Sequence, residues 1–184
     1  MDLDKAIKSR RSARKFRDMK PDWRDIIECI DVMRHTPMAG NSFSLKFILV
    51  DDKEKIDKIS KCSQQQFIAN TYYVLVIYSE PSRTLNSFGE RGKIYARQQA
   101  GAAIQNFLLK IEKEKLSTCW IGHFVEEEIK DLLKIPKKAE VEALFPIGYA
   151  CDEKKKARRI NLDSVLRFND SKNKKMKNPK DLDV

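Results

Sequence analysis

The residues best equipped for chemistry fall in four separate stretches. The first is RRSARKF, residues 10–16, where Arg10, Arg11 and Arg14 supply forked donors and Ser12 adds a hydroxyl. A phosphate dianion needs that combination, because a guanidinium meets two of its oxygens at once. The same residues also read as a solvated basic helix end. The second stretch is PMAGNSFSLKF, residues 37–47, a small-residue loop that leads the Asn41 amide into an apolar run. Such a loop can bring backbone and amide groups to the edge of a heterocycle, and it also reads as a plain helix-to-strand connection. The third, residues 98–124, is a small-residue helix followed by TCWIG. The fourth is FPIGYA, residues 145–150, with the basic KKARR close behind it.

Other chemistries are excluded by what the chain lacks. The glycines are Gly40, Gly89, Gly92, Gly101, Gly122 and Gly148, and none sits in a G-x-G-x-x-G or G-x-x-x-x-G-K-[ST] pattern. Neither a dinucleotide fingerprint nor a phosphate loop of the usual kind is available. The histidines are His35 and His123, with no H-E-x-x-H or G-x-S-x-G around them. Hard chemistry is therefore expected to be borrowed from a cofactor. Cys29, Cys62, Cys119 and Cys151 are widely spaced, with no CxxC. No metal site is expected, and the thiols are expected to be free and mostly packed.

The elements that must position these stretches belong to a chain of 184 residues, the size of one ordinary domain. Hydrophobic residues make up 41% and charged residues 35%, and the net charge is +10. The longest apolar run, Tyr72 to Tyr78, has the length of a strand and not of a membrane span. The N-terminus lacks the apolar middle of a secretory signal, so a cytoplasmic location is expected. Half of the positive excess sits on residues 152–184, where eleven Lys/Arg face six acids. After Asn169 apolar residues are few and aromatic ones absent. Residues 1–168 are therefore expected to form the domain. Residues 169–184 are expected to form a basic tail, loose or draped over a partner subunit.

Periodicity predicts helices over residues 2–8, 22–34, 53–60 and 126–133, with Asp22 capping the second. Trp23, Ile26, Ile27, Ile30 and Met33 form that helix's apolar stripe. A long helix is predicted from Gly89 to Leu116, opened by a Ser87-x-x-Glu90 capping box, with Lys110, Lys113 and Glu114 facing outward. Strands are predicted over residues 45–50, 72–78, 118–121 and 143–150, the second buried on both faces. The fold class is α+β.

In their order, the four stretches resemble the FMN-dependent nitroreductase family, from Ala6 to about Val165. Its R-[RH]-S-x-R-x-F segment is matched by Arg10, Arg11, Ser12, Arg14 and Phe16. Its P-S-x-x-N-x-Q-P-W-x-F loop is matched at Pro37, Asn41 and Phe47. Met38, Phe43, Ser44 and Leu45 stand where Ser, Gln, Pro and Trp are usual. Its D-x-G-x-A-x-Q-N-L-L helix is matched from Gly101 to Leu109, with Gln99 at the Asp position. Its T-x-W-I-G-G strand end is matched by Thr118, Trp120, Ile121 and Gly122, with His123 replacing the last glycine.

The resemblance implies a mostly antiparallel central sheet flanked by helices, and a homodimer with two FMN sites at its interface. It implies that Arg10, Arg11, Ser12 and Arg14 hold the flavin phosphate, closed by Arg158 and Arg159. Pro37, Met38, Asn41 and Phe43 would reach the flavin of the other subunit, and a backbone N–H in Ile121–Gly122 would face N5. NADH or NADPH would pass hydride through flavin N5 to a nitroaromatic, quinone or similar acceptor in a ping-pong cycle. His123 reads either as a donor to substrate or as a histidine satisfied by its neighbours. Two other readings remain at this point: a flavin-binding protein without turnover, and a basic nucleic-acid-binding module.

Overall fold

Valine, leucine, isoleucine and tyrosine fill YVLVIYS, and their β-branched and aromatic side chains suit a pleated surface. This run is strand β2 (Tyr73–Ser79), the centre of the molecule, with β1 (Leu45–Val50) antiparallel on one side. On the other side lies β4 (Glu140–Gly148), which also pairs antiparallel with the short β3 (Ser117–Thr118). The order is β1-β2-β4-β3. The computed structural model describes residues 1–151 and 159–176. It divides the chain into two compact units, Met1–Lys154 and Lys155–Val184.

Because side chains alternate along a strand, β2 sends its residues to two different cores. Tyr73, Leu75 and Ile77 pack with Ala143, Phe145 and Ile147 against the helices α2 (Trp23–Asp31) and α5 (Arg91–Lys113). Val74 and Val76 pack with Leu144 against α3 (Lys53–Cys62) and α6 (Glu126–Leu133). The strand is buried on both faces, as its continuous apolar run predicts. Capping sets where helices start: Asp2 accepts from the Lys5 amide at α1 (Leu3–Ser9), Asp22 from the Arg24 amide at α2, and Asp52 from the Lys55 amide at α3. Each such cap contributes about 1 kcal/mol.

Several expectations are corrected. The long helix forms as α5 within its expected bounds, but a further helix, α4 (Ser82–Phe88), precedes it, and Gly89 takes φ 57, ψ −145 between the two. A side chain rarely adopts that backbone, and it ends the first helix sharply. The Ser87–Glu90 capping box does not form: Ser87 lies inside α4, and Glu90 pairs with Lys93 instead. In α2 the stripe is rotated. Ile26, Cys29 and Met33 are buried, whereas Trp23 and Ile27 are 50% and 44% exposed. Lys110 does not face away; its largely covered amine pairs with Glu28 and Glu114. The strand predicted at 118–121 is regular only over Ser117–Thr118.

In the second unit, Asn161 caps a short helix, α7 (Leu162–Val165), by accepting from the Asp163 amide. Ile160, Leu162, Val165 and Leu166 are exposed.

Candidate functional site

The basic segment reaches the sheet through its backbone. The Ala13 amide donates to the Thr118 carbonyl at 3.0 Å, and Ser12 and Thr118 form a parallel bridge. Farther on, the Arg17 amide donates to Tyr149 at 2.8 Å and the Cys151 amide donates back to Lys15 at 3.1 Å. Stretches far apart in sequence, RRSARKF, TCWIG and FPIGYA, thereby share one edge. Phe16 locks the join: a Cβ on Gly148 would lie 2.9 Å from Cδ1 of its ring, so only glycine lets the ring seat there.

This anchoring leaves side chains unspent. Ala13 is buried, while Ser12 and Arg14 on either side of it are exposed. The side chains of Arg10, Ser12 and Arg14 have no hydrogen bond or ion pair among the described residues. Arg11 differs from its neighbours. Its Nη1 donates to the carbonyls of Lys8 and Arg10 at 2.7 and 2.8 Å, at the end of α1. Its Nε is buried without a partner. A buried donor lacking an acceptor is costly, and an anionic oxygen supplies what is missing. The donor set thus fits a phosphate.

Two residues beyond Thr118, Trp120 is 44% exposed and leans on Phe145 at 5.9 Å between ring centres. The Ile121 amide is committed to Leu144, which returns the bond, each at 3.0 Å. Of the expected Ile121–Gly122 pair, only the Gly122 N–H is therefore left without a partner among the described residues. The space a Gly122 Cβ would occupy meets nothing nearer than Trp120 Nε1 at 4.0 Å. His123 is exposed beside it.

The 37–47 loop goes elsewhere. Gly40 and Asn41 both take positive φ, 58 and 51. Pro37 and Asn41 are exposed and Met38 is half-buried. Phe43 packs on Phe47 at 6.1 Å and against the core that contains α5. Pro37, Met38 and Ala39 line a cavity of about 390 Å³ with Tyr95, Gln98, Gln99 and Ala102 of α5. Arg159 is exposed in the second unit, and Arg158 lies outside the described residues.

Sequence reasoning missed Gln99 as a working residue, although its place in the family pattern marked it. It also missed a cavity of about 580 Å³ beside Phe16, lined in part by Asp18, Lys20, Asp51 and Tyr72. There the Tyr72 hydroxyl donates to Asp18 at 2.6 Å. The cysteines are free, with Cys29, Cys62 and Cys119 buried. Burial pushes the Cys29 thiol up to about 12 and the Cys62 thiol up to about 11, so neither is a nucleophile near neutrality.

This sheet edge brings together the stretches 10–16, 118–122 and 145–150, whose motifs resemble one family. The nitroreductase family model matches residues 7–72 and 59–149. The chain belongs to the nitroreductase family. An Archaeoglobus fulgidus protein provisionally named NADH dehydrogenase/NAD(P)H nitroreductase is 28% identical over 155 residues, covering 82% of this chain and 86% of that one. An iodotyrosine deiodinase of Thermotoga neapolitana is 25% identical, with 88% and 95% covered. The solved FMN-dependent nitroreductase of Clostridium difficile superposes with a TM-score of 0.78 at 26% identity, over 91% of this chain and 99% of that one.

Proposed function

We propose that this nitroreductase-family chain is an FMN-dependent oxidoreductase that draws on NADH or NADPH and reduces an organic acceptor such as a nitroaromatic or a quinone. The observation that carries this reading is the Ala13–Thr118 pairing, which joins the segment bearing unpaired cationic side chains to the sheet edge four residues before the open Gly122 N–H. Arg10, Ser12 and Arg14 would hold the phosphate, Arg11 would add its unpaired Nε, and Arg158 and Arg159 match the family's late basic residues that close on it. FMN held by these residues would supply the hydride-transfer chemistry between the nicotinamide and the acceptor. Gly122 donates its N–H toward the N5 edge, and its missing side chain keeps that approach clear. Trp120 lends an apolar wall that keeps water from the ring. No side-chain acid or base is required, and His123 stands where it could donate to an acceptor.

The working unit is a homodimer. Along α5, Ile94, Gln98, Gly101, Ala102, Gln105 and Leu109 share one uncharged face, and a Gly101 Cβ would meet nothing within 4 Å. Small residues allow a second helix to come close, and twofold dimers are the commonest assembly. Pro37, Met38, Asn41 and Phe43 would then belong to the flavin of the other subunit, and the basic 169–184 tail would be loose or draped over that subunit. The exposed Ile160, Leu162, Val165 and Leu166 gain a surface to cover. A cytoplasmic setting, where reduced nicotinamide is available, suits the cycle.

Steady-state oxidation of NADH and NADPH, with a quinone or a nitroaromatic as second substrate, tests this reading. Parallel double-reciprocal lines are the expected result. Flavin bound tightly without nicotinamide oxidation would make the chain a flavin carrier. A colourless protein that refuses FMN but binds DNA at low salt would make it a basic binding module.

A further inference from the structure

The turn that presents Asn41 is held by one side chain. Gln99 of α5 is 4% exposed. Its Oε1 accepts from both the Ser44 amide, at 3.0 Å, and the Ser44 hydroxyl, at 2.8 Å. Its Nε2 donates to the Ser42 carbonyl at 3.1 Å. The Ser44 carbonyl in turn accepts from the Glu80 amide at 2.8 Å, so the loop's exit is tied to the end of β2. Between Pro37 and Ser42, the loop passes through the left-handed backbone at Gly40 and Asn41. A non-glycine residue stays in that region only where its surroundings hold it there.

The amide is chemically specific to this task. It must accept from an N–H and an O–H at one end and donate to a carbonyl at the other. A carboxylate can do only the first, and it would set a negative oxygen against the Ser42 carbonyl. The two bonds to Ser44 are buried and the one to Ser42 is partly buried, so water replaces a lost one only in part.

We propose that Gln99 is a positioning residue for the flavin and acceptor site, acting through the 37–44 loop. It fixes the turn so that Pro37, Met38 and Asn41 meet the bound flavin and its acceptor, and it sets flavin affinity and acceptor KM without contributing to the chemical step. This rests on the flavin reading above.

The test uses full-length Gln99→Glu, which keeps the shape and the acceptor end, and Ser44→Ala, which removes one bond. FMN Kd is measured by fluorescence quenching, followed by kcat and acceptor KM at saturating FMN with NADH and a quinone. For Gln99→Glu, FMN Kd and acceptor KM are each expected to rise about tenfold, the weight of the partly buried Ser42 bond lost and the repulsion that replaces it, with kcat within about twofold. For Ser44→Ala the rise is about threefold, and the double variant adds little to Gln99→Glu, because the two residues share one network. A general loss of structure would lower kcat as well and would not give this split. Wild-type affinity and KM in Gln99→Glu, with FMN bound normally by the wild type, overturn the inference alone. Should Gln99→Glu fail to fold, unchanged values in Ser44→Ala overturn it. A wild type that binds no FMN removes the flavin reading itself and the inference with it.

Discussion

The two stretches assigned to the flavin are held by opposite means. The 10–16 segment is fastened by backbone hydrogen bonds to Thr118, Tyr149 and Cys151, with Phe16 seated on Gly148. The side chains of Arg10, Ser12 and Arg14 are left without a hydrogen bond or ion pair among the described residues. The 37–44 loop has a left-handed turn at its tip, packs Phe43 on the core, and is hydrogen-bonded to α5 through the side chain of Gln99. Substitutions of exposed side chains in the first stretch should change binding without changing structure. In the second, a buried residue that touches no ligand should change binding.

The sharpest way to separate the two is to strip the free donors. Arg10→Ala combined with Arg14→Ala removes two charge-assisted contacts to phosphate, each worth about 1.5–3 kcal/mol. FMN Kd is expected to rise by about a hundredfold or more, with little change in the thermal midpoint. Equilibrium titration and thermal unfolding of the same samples check both halves. A large fall in the midpoint would mean that these arginines hold the fold, and the contrast would break.

Gly148→Ala attacks the anchor instead. The added methyl meets the Phe16 ring, and overpacking of this kind costs about 1–3 kcal/mol. For a chain of this size the midpoint falls by about 2–4 °C per kcal/mol, and flavin affinity falls with it as the segment shifts. Unchanged stability would show that Phe16 is not a lock. The tenfold effect of Gln99→Glu on FMN and acceptor binding comes next in size, and it sharpens the contrast from the loop's side.

The smallest effect is a control at the far end of β4. Burial raises the Glu142 carboxyl above its ordinary range, with help from Glu140 and Glu126. The Ser79 hydroxyl at 2.6 Å and Arg97 oppose the shift. The folded state therefore holds the proton more tightly than the unfolded one. The stability that this brings is present below the ordinary glutamate pKa of about 4.3, and it is lost as pH rises through the folded value. Glu142→Gln is expected to raise the midpoint at neutral pH by about 2 °C or less, with the gain vanishing in acid. FMN affinity should not move. A change in affinity would mean that stability and binding are not separable here.

Much of the framework is legible in the residues. The continuous apolar run at Tyr73–Ser79 has no polar face to turn to solvent, so it had to be a strand between two layers. Asp22 could be recognised as a cap from its neighbours alone. The helix before Gly89, α4, was hidden because SRTLNSF is too short and too polar to show a helical period. The rotation of the α2 stripe was hidden as well, since periodicity places apolar residues on a face but not the edge of the surface that covers it. In the site, the residue types at positions 10–14 suited a phosphate and equally a solvated basic helix end. The turning of Arg11 toward its own helix end depends on local carbonyls that no motif records. That Gln99 reaches Ser42 and Ser44 is a long-range contact, and only its departure from the family pattern pointed to it.

The central claim is that the edge formed by residues 10–16 and 118–122 carries the flavin phosphate. Its most direct test is the FMN content and affinity of purified wild type beside the Arg10→Ala, Arg14→Ala double variant. The expected result is about one FMN per wild-type chain, and a variant that folds normally but loses its flavin on dilution. A wild type that binds no FMN, or a folded variant that keeps it with undiminished affinity, would contradict the claim.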